Sequence, residues 1–195
     1  MSINQLIAYF NHYIPLRKEE KEELVNRVTE KKVKRRQFVL QQGDVCRHYN
    51  FVVSGCLKMY AVDNTGAEHN LQFASGNEWI SDISSFHSTK PSLLYIEAIE
   101  SSVILQIALT DLIYLYQHHP KFDRIFRVVI ENKYIELQNR ILQNISSTAE
   151  ERYLAFLDQY PDLANRLPNT QIASYLGITP EFLSKIRSTG AKKNP

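Results

Sequence analysis

The spacing of apolar residues changes character along the chain. Residues 3–10 (INQLIAYF) and 16–31 read as short helices, and in the second Leu24, Val25 and Val28 make an apolar stripe among Glu and Lys. The basic run Lys31–Arg36 (KKVKRR) reads as the solvated start of a strand. From Phe38 to Ile107 the runs are short, β-rich and separated by turn signals. Phe38–Leu40 precedes Gln42-Gly43-Asp44. Tyr49–Val53 precedes Ser54-Gly55. Cys56–Val62 alternates Leu57, Met59 and Ala61 with Lys58 and Tyr60. Asp63-Asn64-Thr65-Gly66 is a hairpin turn, because Asn and Gly tolerate positive φ. Glu68–Phe73, Leu94–Ala98 and Val103–Ile107 complete a series of strands whose spacing predicts a barrel or jelly roll.

At Thr110 the period becomes helical. Thr110-Asp111 is expected to cap a helix ending near His118, and Pro120 to open a long helix to about Ile145. That helix carries two apolar stripes. Phe122, Phe126, Ile130, Tyr134, Leu137, Ile141 and Ile145 form one; Ile125, Val128, Val129, Ile135 and Leu142 form the other. A helix apolar on two faces has two things to bury against. One face is expected to pack on the barrel. The other is expected to pack on a second copy of the chain through Ile125, Val129, Asn132, Ile135, Asn139 and Leu142, with the two Asn seven apart fixing register. Ser147 to Glu150 fits a capping box for a further helix that stops at Pro161.

The sharpest signal is LPNTQIASYLGITPEFLSKIR, Leu167 to Arg187. Asn169 or Thr170 caps a helix running through Leu176. Gly177 supplies the left-handed residue that ends it, and Thr179 caps a second helix with Pro180 at its first position. Ile172, Ala173, Leu176, Ile178, Leu183 and Ile186 form the inner surface. Two helices joined by a short Gly turn place the second in a DNA major groove. On its outer side stand Pro180, Glu181, Ser184, Lys185 and Arg187. Glu181 can accept from cytosine N4, Lys185 can donate to guanine or hold a phosphate, and Thr170, Ser184 and Arg187 suit backbone contacts; Thr179 and Pro180 are counted with them as DNA-binding residues.

Composition narrows the field further. The chain has 195 residues, 44% of them hydrophobic, which excludes disorder as its main character. The net charge of +2 says little, but Arg166, Lys185, Arg187, Lys192 and Lys193 face only Glu181 in the C-terminal stretch. Cys46 and Cys56 cannot make a disulfide framework, a zinc site or a four-thiolate iron–sulfur cluster. The histidines lack the spacing of a metal helix site, so no metal is assigned. The first residues carry polar Asn4, Gln5, Asn11 and His12 and do not read as a signal peptide; no apolar run spans a bilayer. A cytoplasmic protein with no membrane partner is expected.

The whole pattern resembles the Crp/Fnr superfamily of bacterial transcription regulators. The resemblance is carried by Gln42-Gly43-Asp44, FVVSGCLKMY (Phe51–Tyr60), DNTGAEHNL (Asp63–Leu71), Ser75–Trp79 and IASYLGITPEFLSKIR (Ile172–Arg187). It implies an α+β fold: a cyclic nucleotide-binding-like or cupin-like β-roll (a double-stranded β-helix or jelly roll) over 1–119, a dimerisation helix over 120–146 and an all-α helix-turn-helix domain over 147–195. It also implies a homodimer on double-stranded operator DNA, contact with RNA polymerase, and a small-molecule effector in the roll. Family members that bind cyclic AMP present a Gly-Glu pair for the ribose and an Arg-Ser pair for the phosphate. The matching positions here are Ser81-Asp82 and Pro91-Ser92, with Lys90 adjacent. Pro91 cannot neutralise a phosphate and Lys90 is only a point charge, so a cyclic nucleotide is not the expected effector and no other cofactor is named. The recognition helix also departs: Pro180-Glu181 and Lys185 stand where the cyclic-AMP receptor's pattern has Arg-Glu and Arg. No β wing is evident in Tyr160–Leu167. Two other readings stand beside this one. In one the chain is an effector-binding or protein-interaction module with little sequence-specific DNA binding. In the other it is an enzyme on a cupin-like roll, which would need a histidine–carboxylate metal cluster; no Walker loop, Rossmann fingerprint or nucleophile elbow is present, and no enzymatic role is expected.

Overall fold

A computed structural model of the chain describes residues 2–193, with side chains through Thr189. Of these, residues 2–62 with 71–130 gather into one compact unit, and residues 63–70 with 131–193 into a second. The side chains of Lys192 and Lys193 lie outside the described ones.

The first unit begins with α1 (Ser2–Tyr13) and α2 (Lys18–Arg27). Eight strands follow: β1 (Val28–Val33), β2 (Phe38–Leu40), β3 (His48–Ser54), β4 (Leu57–Val62), β5 (Glu68–Ala74), β6 (Glu78–Ile80), β7 (Tyr95–Ala98) and β8 (Ser102–Ala108). A short helix, α3 (Ile83–Ser88), lies between β6 and β7, and α4 (Leu109–His118) and the long α5 (Pro120–Ser146) come after β8. The strands form two four-stranded sheets, ordered β1-β8-β3-β6 and β2-β7-β4-β5, with antiparallel pairing. This is the expected roll. The second predicted helix is shorter than expected: Val28 leaves it and starts β1, paired with Ile107. The reason is tertiary, since β8 offers a complete ladder to a β-branched residue that the helix pattern could also use.

The alternation in β3 decides where the core sits. Tyr49 and Phe51 point to one face, toward the helices. There Trp79 stacks on Tyr49 at 4.9 Å and lies 5.1 Å from Phe51 and 5.1 Å from Phe126, while Phe10 stacks on Trp79 at 6.1 Å. Phe122, Ile125, Phe126 and Val129 of α5 are all buried in this same core. Ile125 and Val129 were expected on a seam between two copies. The structure corrects that: the first half of α5 is apolar on both faces because both are covered inside its own subunit.

Gly55, between β3 and β4, adopts φ +89°, and a Cβ there would lie 2.2 Å from Ser102 Oγ. That hydroxyl is itself committed, accepting from the Cys56 N–H at 3.1 Å. Gly55→Ala should therefore destabilise the roll by about 3 kcal/mol through strain and overpacking together, read as a lowered denaturation midpoint.

Candidate nucleic-acid interface and effector region

The second unit is built on α6 (Ala149–Gln159), α7 (Asn169–Leu176) and α8 (Pro180–Lys193). Its core is aromatic: Phe156 lies 5.3 Å from Tyr160 and 5.6 Å from Tyr175. Leu163, Leu167, Ile172, Ala173, Leu176 and Leu183 are buried around them. The capping box of α6 is Thr148 with Glu151, one residue beyond the expected Ser147–Glu150. The backbone between Tyr160 and Asn169 runs as turns, with no strand among the described residues.

The α7–α8 turn forms as its residues require. Gly177 takes φ +67°, its N–H reaches Ser174 O at 3.3 Å, and the Ile178 N–H reaches Ala173 O at 3.0 Å. These are the paired bonds of a Schellman ending, open to a residue without a Cβ. Thr179 Oγ1 then accepts from the Phe182 N–H at 3.2 Å, with Pro180 opening α8. At 100° per residue, burial of Leu183 turns Glu181, Lys185 and Ser188 outward as one ridge. All three are exposed, as are Thr170, Thr179, Ser184 and Thr189, and Pro180 is half-buried. Ser188 and Thr189 were not singled out from the sequence, although the three- and four-residue steps from Lys185 point to them. Phe182, 46% exposed, flanks the ridge.

Arg187 is placed differently from expectation. Its guanidinium is turned inward, donating to Asn169 Oδ1 and to Ala164 O at 3.4 Å. It braces the helices rather than extending from the ridge. This also explains why Asn169 does not cap α7, where Pro168 holds the cap position without a side-chain bond.

Residues 63–70 complete the second unit. Asp63 accepts from the Thr65 and Ala67 N–H groups at 2.8 and 3.0 Å, and from Thr65 Oγ1 at 2.6 Å. His69 Nε2 lies 2.7 Å from its other oxygen. The bond to His69, then those to Thr65 and Ala67, hold the Asp63 carboxyl well below the usual carboxylate range. From this hairpin Asn70 reaches α7: its N–H donates to Ser174 Oγ at 3.0 Å and its amide donates to Gln171 O at 3.0 Å. Ser174 Oγ donates to Glu68 O at 2.6 Å. Arg140 ties the same place, donating to Asn70 O and Tyr175 O, each at 3.0 Å, with its guanidinium 3.9 Å from the Tyr175 ring centre.

On α5, Tyr134, Ile135, Leu137, Ile141, Leu142 and Ile145 are 50–79% exposed. Tyr134, Leu137, Ile141 and Ile145 form a continuous row. Asn132 and Asn139 are exposed too, but lie roughly opposite that row at 100° per residue.

In the first unit, the expected effector residues come together but on one another. Ser92 Oγ donates to Asp82 Oδ2 at 2.6 Å, and Asp82 Oδ1 accepts from the Ser85 N–H at 3.1 Å. Ser81 Oγ meets the Asn50 N–H at 3.0 Å, and Ser85 Oγ donates to Lys90 O at 2.6 Å. Ser81, Asp82, Ser85 and Ser92 are buried, while Lys90 and Pro91 are exposed. The network thus spends both Asp82 oxygens on the protein itself. Glu97 pairs with buried Lys58 at 3.5 Å. Among the described residues no group of three metal-ligating side chains occurs, and no helix is long and apolar enough to cross a membrane.

Comparison with known proteins gives a consistent result. The cyclic nucleotide-binding domain model matches residues 30–119. The anaerobic regulatory protein of Pasteurella multocida (strain Pm70) is 26% identical over 197 residues, spanning 95% of this chain and 70% of that protein. FixK2 from Bradyrhizobium japonicum superposes with a TM-score of 0.73 at 18% identity, over 85% of each chain. A protein described as a transcriptional regulator of the crp/fnr family from Eubacterium rectale ATCC 33656 superposes at 0.71 and 16% identity, over 95% of this chain and 88% of that one.

Two outcomes are expected from this geometry. Arg187→Ala should lower the stability of the second unit by about 1–3 kcal/mol, because it strips a charged donor from Asn169 and Ala164; thermal melts without DNA measure it. In His69→Ala the titration midpoint of Asp63, followed by NMR, should rise toward the ordinary value of about 3.9. The sign follows from the lowered value in the native hairpin. The stabilisation is present above the ordinary carboxylate range and is lost as pH falls through the native midpoint.

Proposed function

We propose that the chain is a homodimeric, sequence-specific DNA-binding regulator of the Crp/Fnr superfamily, acting in the cytoplasm; the match to the cyclic nucleotide-binding domain and the likeness to the anaerobic regulatory protein support this reading. The observation that carries this reading is the α8 ridge. A helix set off by a glycine turn, buried along Leu183 and exposing Glu181, Lys185 and Ser188, has the shape and chemistry of a major-groove reader. Glu181 accepts from a cytosine amino group and Lys185 donates to guanine. Thr170 and Thr179 would donate hydroxyls to the phosphate backbone, whereas Ser184 and Thr189 donate to Pro180 O and Lys185 O and would have to turn to do the same. No catalytic step is part of the proposal.

The exposed apolar face of α5 supports the same reading. Six large apolar side chains at least half exposed on the later part of α5 are costly in water, at about 1.5–3 kcal/mol for each fully buried Leu or Ile. Pairing this face with its copy buries it and presents two α8 helices to a two-fold site. The seam proposed here runs through Tyr134, Leu137, Ile141 and Ile145, flanked by Ile135 and Leu142. Asn132 and Asn139 lie off it. RNA polymerase would meet the bound dimer through surface other than the ridge.

The arm at 63–70 gives this reading a route of control. Its Glu68 and Asn70 hold α7 directly, and its sequence continues into β4 and β5. A change in the strands that shifted the arm would be felt at the first helix of the DNA reader.

Selection from a random duplex pool, followed by anisotropy titration, tests the reading. Lys185→Ala should weaken the selected site by about 1–3 kcal/mol, and affinity should fall steeply with salt. Binding indifferent to sequence and salt would end the proposal. Leu137→Glu with Ile141→Glu should convert the dimer to monomer in sedimentation velocity and weaken operator binding, while leaving the near-ultraviolet dichroism of the Trp79 cluster unchanged.

A further inference from the structure

Among the described residues of α7 and α8, Phe182 is the one large apolar side chain that stays exposed, at 46%. Phe156, Tyr160 and Tyr175 of the same unit are buried against one another. No ring among the described residues packs against Phe182 in that way. Its place on the helix is fixed. The Phe182 N–H donates to Thr179 Oγ1 at 3.2 Å and the Leu183 N–H to Thr179 O at 3.0 Å, which closes the first turn of α8. With Leu183 buried, a step of 100° per residue sets Phe182 at the edge of the ridge, on the side of Thr189 and three residues before Lys185. Its neighbour four residues on, Ile186, is half-buried. The two make a short apolar strip that runs from the core out to the ridge.

The surroundings narrow what can cover this ring. A protein interface gathers several apolar side chains into a core. Here a single ring stands among Glu181, Lys185 and Thr189, all polar and exposed. The minor groove accepts apolar wedges, but at about 6 Å it is too narrow for a helix about 10–12 Å across. The major groove, about 12 Å wide, admits the helix, and its apolar feature is the C5-methyl group of thymine.

We propose that Phe182 selects a thymine in each half-site by covering its C5-methyl group. The inference deepens the DNA-binding reading and rests on it; it names a base chosen by apolar contact rather than by a hydrogen bond. Side chains three residues apart on a helix are about 5–6 Å apart at Cβ, and successive bases are about 3.4 Å apart. The thymine therefore stands one or two base steps from the guanine that Lys185 faces. The contact carries no charge, so it adds discrimination without adding to the salt dependence.

The test takes a methyl group from the DNA. The site selected from a random duplex pool is remade with deoxyuridine replacing each thymine in turn, which leaves every hydrogen-bonding group of the base pair in place. Each duplex is titrated with the full chain by anisotropy. At one thymine per half-site the change should weaken binding about fourfold, as expected for one buried methyl group. Phe182→Ala should bind the thymine and deoxyuridine duplexes equally, with the salt slope of the unaltered chain. Phe182→Gln serves the same purpose if circular dichroism shows the alanine variant to be poorly folded. Any of four results overturns the inference and leaves the regulator reading intact: a selected site with no thymine shared by its half-sites, equal affinity for every deoxyuridine duplex, a variant that keeps the fourfold loss, or a change in the sedimentation of the DNA-free variant, which would assign the ring to a protein contact. A chain that selects no sequence at all ends the regulator reading and this inference together.

Discussion

Burial of one face of α8 governs what the second unit can do. Leu183 is fully covered and Ile186 half covered, and a helix with that face fixed has no choice about what it shows on the other. Covering a leucine contributes about 1.5–3 kcal/mol, enough to hold the helix in one rotation about its axis. The rest of the reader follows. Gly177 frees the chain to turn without strain, Thr179 satisfies an amide that would otherwise be orphaned, and the ridge of Glu181, Lys185 and Ser188 points into solvent. Arg187, five residues on from Phe182 and on the inner side, is spent on Asn169 and Ala164.

The first unit is organised by the opposite demand, that both faces of a sheet be covered. Tyr49 and Phe51 turn to the helices and build the aromatic cluster around Trp79. Val52, the residue between Phe51 and Val53, turns inward. This division leaves the interior of the roll with an apolar stretch around Val33, Val52 and Ile104 and a polar end where Gln106 donates to Asn50. The expected effector residues are meanwhile bonded to one another. Ser92 bonds Asp82, and Ser85 bonds both Asp82 and the Lys90 carbonyl, so that region is stabilised as protein structure.

The long helix α5 joins the two demands in one element. Its first part is wrapped by its own subunit, with Phe122, Ile125, Phe126 and Val129 all buried. Its later part keeps the same apolar period but lacks cover. Periodicity reports only that a face is apolar. Whether the covering surface belongs to the same chain or to a second copy depends on how far the roll extends along the helix.

Much was legible in the residues themselves. Turn chemistry at Asp63–Gly66 and at Gly177–Pro180 and the length of α5 follow from local stereochemistry, which acts over a few residues and needs no partner; the alternation expected in β4 does not hold, since Lys58 and Tyr60 are buried and Met59 and Ala61 half-buried. The ridge residues Glu181 and Lys185 were legible for the same reason, because helical rotation is fixed once the inner positions are known. Distance in sequence hid the rest. Val28 joined β1 because β8 was waiting for it, Arg187 turned inward because Asn169 came within reach, and Ile125 and Val129 were claimed by a core assembled from α1, β3 and β6.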